Sequence, residues 1–254
     1  MIGVRAPLAS YRVAITELPE RARSANDPRG SIVVVGGGTG WFARAVSAVE
    51  AGAAGLVVAD PAVEVSGISG FAESDLRGVP VALDRELLRP DVAAEISREQ
   101  PASVLTATCA APAAAFDRTI CDAVGWLRVL AGGPLQVTAL QAGDGGLIMA
   151  VEGRGCPGGV LARVLVEPTA VPRLRVSAIG AVRSEVSAAA AAATVVRMDD
   201  ERGTLIAPAR FETRQRLALR RAIAAVTNGT MLDDLHEFAI DAEIALAGRR
   251  ALSP

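Results

Sequence analysis

The chain has 254 residues, 26 basic and 28 acidic side chains, a formal net charge of −2, 51% hydrophobic residues and 3% aromatics. That balance excludes a disordered chain, which is poor in apolar side chains, and a general nucleic-acid binder, which needs excess positive charge to meet phosphates. No apolar run approaches the roughly 18 residues of a membrane span.

The elements follow in chain order. Residues 11–17 read as a strand and 19–26 as a polar connection. Residues 31–35 are a β-branched run, the mark of a strand buried on both faces. Gly36, Gly37, Gly38 and Gly40 then turn the chain into a helix over 41–51, which Gly52 stops. Residues 55–59 form the next buried strand, ended by Asp60 and Pro61. This spacing implies a parallel sheet with right-handed crossovers. A polar, glycine-dotted stretch over 64–78 leads to a strand at 79–83 and a helix at 91–98.

The pattern changes near Pro101. Residues 103–109 read as a strand and 116–130 as a helix, closed by Gly132, Gly133 and Pro134. Five strand-like segments follow, at 135–140, 146–151, 159–167, 173–180 and 203–208. Their Gly, Pro and Asp turns predict hairpin-linked antiparallel pairing. The alanine run 188–193 is either an edge strand or a loop. Two helices finish the chain, one over 211–226 with an Asn228-Gly229 stop, the other opened by a capping box from Thr230 to Asp233.

Composition also limits the chemistry. The chain contains no lysine, so all 26 basic residues are arginine. A Schiff base, a lysine general acid and a P-loop lysine are therefore excluded. His236 and Tyr11 are each single in the sequence, which leaves Asp, Glu, Cys and Arg as the main proton-transfer groups. Cys109, Cys121 and Cys156 are odd in number and lack metal-like spacing, which fits thiols in a reducing cytoplasm. The first residues lack the basic-then-apolar order of a signal peptide.

The clearest motif is the loop Gly36–Gly40. Gly38, Gly40 and Ala43 satisfy a dinucleotide-binding pattern, and Asp60 ends the next strand about 20 residues later. On that reading the helix N-terminus holds a pyrophosphate and Asp60 the ribose hydroxyls. The alternative is that the glycines only turn a strand into a helix.

A longer match covers residues 31 to 247. Residues 31–61 resemble a later βαβ unit of the glucose–fructose oxidoreductase/inositol dehydrogenase (Gfo/Idh/MocA) family. The segments 78–81, 89–92, 101–104 and 117–134 and the last two helices follow collinearly. The resemblance implies a truncated Rossmann-like domain over 1–100, followed by an α+β domain over 101–254 with an antiparallel sheet and flanking helices. It places the family's catalytic lysine at Asp60, the preceding glutamate at Ala59 and the catalytic histidine at Cys121, while the family's aspartate is kept as Asp117. The first glycine loop has no counterpart. Residues 11–17 are expected as the central strand, with the family's second and third strands lost.

Three functions follow. The first is a catalytically degenerate, non-redox structural or regulatory subunit. It would form a homo-oligomer, or a hetero-oligomer with an active family member, through the sheet of residues 135–206, with no NAD or NADP. The second is a cofactor-independent elimination, isomerisation or cyclisation in a cleft lined by Asp60, Asp117 and Cys121. The third is an NAD(P)-dependent oxidoreductase using Gly36, Gly38 and Gly40. No metal site, nucleic acid or membrane partner is expected. Asp199, Asp200 and Glu201 read as a solvated hairpin tip. Asp233, Asp234, His236, Glu237 and Asp241 read as helix-start and surface charge. Arg214, Arg216, Arg220 and Arg221 read as a basic helix face that pairs across an oligomer.

Overall fold

The computed structural model describes residues 1–64, 76, 78–96, 102–143 and 145–252. Most of the polar stretch predicted over 64–78 and the end of the helix predicted over 91–98 lie outside them. The first half runs β1 (Ile2–Arg5), α1 (Ala9–Thr16), β2 (Ala22–Ser24), β3 (Ile32–Gly36), α2 (Trp41–Glu50), β4 (Gly55–Ala59), β5 (Val81–Asp84) and α3 (Pro90–Ala93). Next come β6 (Val104–Pro112), α4 (Phe116–Ala131), β7 (Gln136–Gly143), β8 (Gly146–Gly153), β9 (Cys156–Leu165) and β10 (Arg173–Ile179). The chain ends with β11 (Arg183–Ala189), β12 (Val195–Asp200), β13 (Gly203–Ile206), α5 (Arg214–Asn228) and α6 (Asp234–Leu252).

Two units emerge, one of residues 1–85 and 212–239, the other of residues 86–211 and 240–254. The sequence pointed to a single change of character near 100. Instead the chain leaves the first unit at 85, re-enters it at 212 and crosses again within α6.

The first unit holds a parallel sheet in the order β2-β1-β3-β4-β5. A doubly wound dinucleotide fold has the order 3-2-1-4-5-6, so this sheet is that order without its outermost strand 3. The strand expected over 11–17 is instead helix α1. Tyr11, Ala14 and Ile15 are buried while Arg12, Val13 and Thr16 face solvent. A seven-residue run satisfies both the alternating and the helical period, and packing chose the helical one. The strand beside β3 is the four-residue β1, whose partner β2 survives.

Val4, Ile32, Val34 and Val57 form one sheet face and pack with Tyr11, Ile15, Leu219 and Ile223 from α1 and α5. Alternation sends Val33 and Val35 to the other side, where α2 buries Trp41, Ala45 and Val49. The β2-to-β3 crossover, residues 25–31, has no helix. It lies directly on β1 because Gly3 has no side chain: a Cβ there would sit 2.7 Å from Ser31 Oγ and 3.1 Å from Ala25 Cβ.

The second unit is built on an eight-stranded sheet, β13-β12-β11-β10-β6-β9-β8-β7. It is mixed rather than purely antiparallel, because β6 and β9 pair in parallel, Leu105 opposite Gly158 through Pro112 opposite Leu165. The expected segments form β6 to β10 and β13. Two strands, β11 and β12, were not anticipated. The Ser- and Ala-rich β11 carries little intrinsic strand preference and β12 only that of Val195 and Val196; the ladders to β10 and β13 supply the rest. The alanine run splits: Ala188 and Ala189 end β11, and Ala191 turns the chain with φ 60°.

Behind the sheet, α4 buries Phe116, Ile120, Val124 and Leu127, the pattern read from sequence. Asp241 is a correction. It is wholly buried and accepts from Arg128 through Nε at 2.8 Å and Nη2 at 3.2 Å.

Candidate functional site

Parallel sheets place functional groups beyond the carboxyl ends of their strands, and here two aspartates occupy those ends. Asp84 closes β5 and Asp60 follows β4. Asp60 holds a left-handed backbone, φ 59°, uncommon for a residue with a side chain. Its N–H donates to Asp84 O at 2.8 Å, which ties the two strand ends together.

A polar set surrounds them. Tyr11 Oη donates to Asp84 Oδ2 at 2.5 Å. Arg214, at the start of α5, lies 3.5 Å from Asp84 Oδ1 and 3.8 Å from Asp60 Oδ1. Burial, followed by the Asp84 charge, pushes the Tyr11 hydroxyl far above the usual phenol range. Tyr11 therefore acts as a fixed donor and not as an acid near neutral pH. Sequence reasoning named Asp60 and missed the other three residues of this set. Asp84 was findable, because it ends a buried strand just as Asp60 does. Tyr11 was hidden by its assignment to a strand, and Arg214 by its assignment to a surface face.

Asp117 and Cys121 lie one turn apart on α4, as expected, in the second unit. Asp117 is ion-paired to Arg249 at 2.9 Å. Burial raises its carboxyl pKa, while Arg249 pulls it down. Cys121 is 1% exposed, closed to solvent among core residues. Burial also pushes the Cys109 thiol up to about 12, so it is no nucleophile near neutral pH. Asp60 is held in the first unit by Arg214, and Asp117 in the second by Arg249.

The Gly36–Gly40 loop is closely defined. Gly37 donates to Ala59 O at 2.7 Å, and Ala62 donates back to Gly37 O at 2.6 Å. A Cβ on Gly37 would sit 2.3 Å from Ala59 O, so this glycine serves the approach of β3 to the end of β4. Gly40 caps α2 with φ 73°, and its N–H donates to the Glu64 carboxylate at 2.5 Å. Arg44 donates to the carbonyls of Gly36, Gly38 and Thr39 at 2.8–2.9 Å.

A pyrophosphate cradle presents backbone N–H groups to the ligand. Here the loop gives carbonyls to a guanidinium, and a carboxylate takes the cap N–H. The turn after β1 reads Arg5, Ala6, Pro7, Leu8, with none of the three glycines that such a turn uses and with Pro7 lacking an N–H. These residues do not fit a dinucleotide pyrophosphate.

Other charged clusters resolve within the chain. Asp200 accepts from the N–H groups of Arg202 and Gly203, the expected hairpin tip. The arginines of α5 pair inside the chain: Arg220 with Glu212 at 2.7 Å and Arg221 with Asp234 at 2.6 Å. Asp234 also accepts from Leu83 N–H, so it is more than surface charge. Among the described residues no group of His, Cys, Asp and Glu could hold a metal ion.

The parallel sheet β2-β1-β3-β4-β5 and the eight-stranded mixed sheet with flanking helices resemble, in fold, solved oxidoreductases of the Gfo/Idh/MocA type. UDP-N-acetylglucosamine 3-dehydrogenase GnnA from Acidithiobacillus ferrooxidans matches with a TM-score of 0.68 and 13% identity, over 99% of this chain and 97% of that one. Aldose-aldose oxidoreductase from Caulobacter crescentus matches with a TM-score of 0.69 and 12% identity, over 98% and 88%. KijD10, a 3-ketoreductase from Actinomadura kijaniata in complex with NADP, matches with a TM-score of 0.61 and 14% identity, over 99% and 88%. No family model and no curated protein matches the sequence. The likeness is therefore one of fold. Among the described residues no helix is long and apolar enough to cross a membrane.

Proposed function

We propose that the chain is a non-redox member of this scaffold class, a structural or regulatory subunit that does not use NAD(P). One observation carries the reading: the turn after β1 has none of the glycines of a dinucleotide loop and carries Pro7, while in the Gly36–Gly40 loop Ala59 O takes the Gly37 N–H and Glu64 the Gly40 N–H. Asp60 adds to it. The family resemblance puts the catalytic lysine there, and this chain has a carboxylate tied to Arg214. Titration with NADH and NADPH, read by tryptophan quenching or calorimetry, should give no saturable binding below about 1 mM. A low-micromolar dissociation constant would restore the oxidoreductase reading, which the NADP complex of the similar KijD10 fold favours.

Association is the second part of the proposal. The second unit's sheet leaves Ile148, Leu161, Val195 and Leu205 between 46% and 60% exposed. Side chains of that size, spread over several strands, favour burial by a second chain. Sedimentation at micromolar concentration should show a dimer or larger species. A monomer that also captures no active protein of the same fold would remove this part. The cofactor-independent reading stays distinct: Asp60→Asn and Asp117→Asn would each abolish a measured turnover while leaving partner association unchanged.

A further inference from the structure

The edges of the two sheets are not protected alike. A strand edge presents a row of backbone N–H and C=O groups with which another chain can pair, and proteins blunt it by shortness, charge or cover. Strand β2 has three residues and carries the exposed Arg23. Strand β5 is buried along its length, and the Asp234 carboxylate accepts from its Leu83 N–H at 2.9 Å. Strand β13 has four residues and follows the charged tip Asp200, Glu201 and Arg202.

Strand β7 is the exception. It is eight residues long, with no charged side chain and no proline. It ends the eight-stranded sheet, and among the described residues no strand pairs with its outer edge. One blunting device is present, a register irregularity between Val137 and Ala139. It sits toward one end, and Ala139 to Gly143 keep regular register with β8.

Such an edge is matched by another extended strand, and a second copy of β7 matches it by symmetry. A two-fold axis normal to the sheet runs identical strands antiparallel and keeps each sheet face on its own side. Centred on the regular run, that axis sets Gln141 opposite Gln141, Leu140 opposite Ala142 and Ala139 opposite Gly143. A charge at the centre of the strand would face its own copy and repel it. None is present, and two facing glutamine amides can each donate and accept.

We propose that β7 pairs with β7 of a second copy of this chain, joining two eight-stranded sheets into one. The contact rests on the association reading and adds a second interface to it. Edge pairing uses backbone groups that lie in the plane of the sheet, so the face carrying Leu161 and Val195 stays available for burial. Face and edge together build a tetramer.

Sedimentation and amide exchange of the full chain test it. The parent chain should sediment as a tetramer, and Val195→Glu, which puts a charge on the face, should leave a dimer. In that dimer the amides of 139–143 that β8 does not hold should exchange more slowly as concentration rises. Gln141→Lys added to Val195→Glu should weaken the dimer about fivefold, because two like charges then stand opposite each other. Mixing those chains with Gln141→Glu/Val195→Glu chains should restore the loss, as direct pairing of residue 141 with its copy requires. A monomeric Val195→Glu chain with fast exchange over 139–143 would overturn the edge contact and leave the face reading standing. A parent dimer that Val195→Glu leaves intact and Gln141→Lys weakens would support the edge and remove the face. Protection of 139–143 that ignores concentration would mean that a segment of the same chain covers the edge, and the proposal fails. It fails equally if Gln141→Lys leaves the dimer constant unchanged.

Discussion

Asp241→Asn should lower the unfolding free energy by about 3–5 kcal/mol, because it removes the charge of the carboxylate to which a buried guanidinium is forked. Arg128 reaches Asp241 through two nitrogens in fork geometry, with side-chain exposures of 9% and 0%. Asn keeps the shape and removes only the charge, so packing loss cannot account for the effect. Domain stabilities are of the order of 5–15 kcal/mol, and such a loss is large on that scale. Replacing both partners, Arg128→Met with Asp241→Leu, should recover most of it, because a buried pair contributes little net stability over well-packed apolar residues. Urea unfolding of the three variants decides the matter. An Asp241→Asn loss below about 1 kcal/mol would mean that water reaches the pair.

Gly37→Ala and Gly38→Ala should differ sharply although they are neighbours. At Gly37 the new methyl would meet backbone, Ala59 O at 2.3 Å and Asp60 O at 2.5 Å, and no rotamer change relieves that. A cost of about 3 kcal/mol follows, at the upper end for overpacking. A Cβ at Gly38 meets nothing within 4 Å, so that variant should fall within about 0.5 kcal/mol of the parent. Thermal unfolding of both checks the pair. Equal behaviour would show that the β3 and β4 ends can separate. The contrast assigns the packing of the two strand ends to Gly37 and leaves Gly38 out of it.

The candidate site was legible only in part. Asp60 stood out because it ends a β-branched run beside a proline. Arg214 and Tyr11 come to the same strand ends from 154 residues after and 49 before it, separations over which no local pattern speaks. The helix α1 was misread for a related reason. Tyr11, Val13 and Ile15 alternate with Arg12, Ala14 and Thr16, so the run carried both periods, and only the apolar face of β1 and β3 selected Tyr11, Ala14 and Ile15 as the buried set.

What the residues determined unaided were the long, strongly patterned elements. The strands β3 and β4, the helix α4 with its Gly132 stop, and the two C-terminal helices each carry enough side chains of one period to bury a face whatever surrounds them. The sequence also settled the absence of lysine chemistry. Tertiary structure alone decided the parallel pairing of β6 with β9, the Ser- and Ala-rich strand β11 with its neighbour β12, and the burial of Asp241 against Arg128. In each of these the energy resides in a ladder or an ion pair with a distant partner. Such a residue's own neighbours in sequence hold no record of that partner, and its local preference is too weak to announce the outcome.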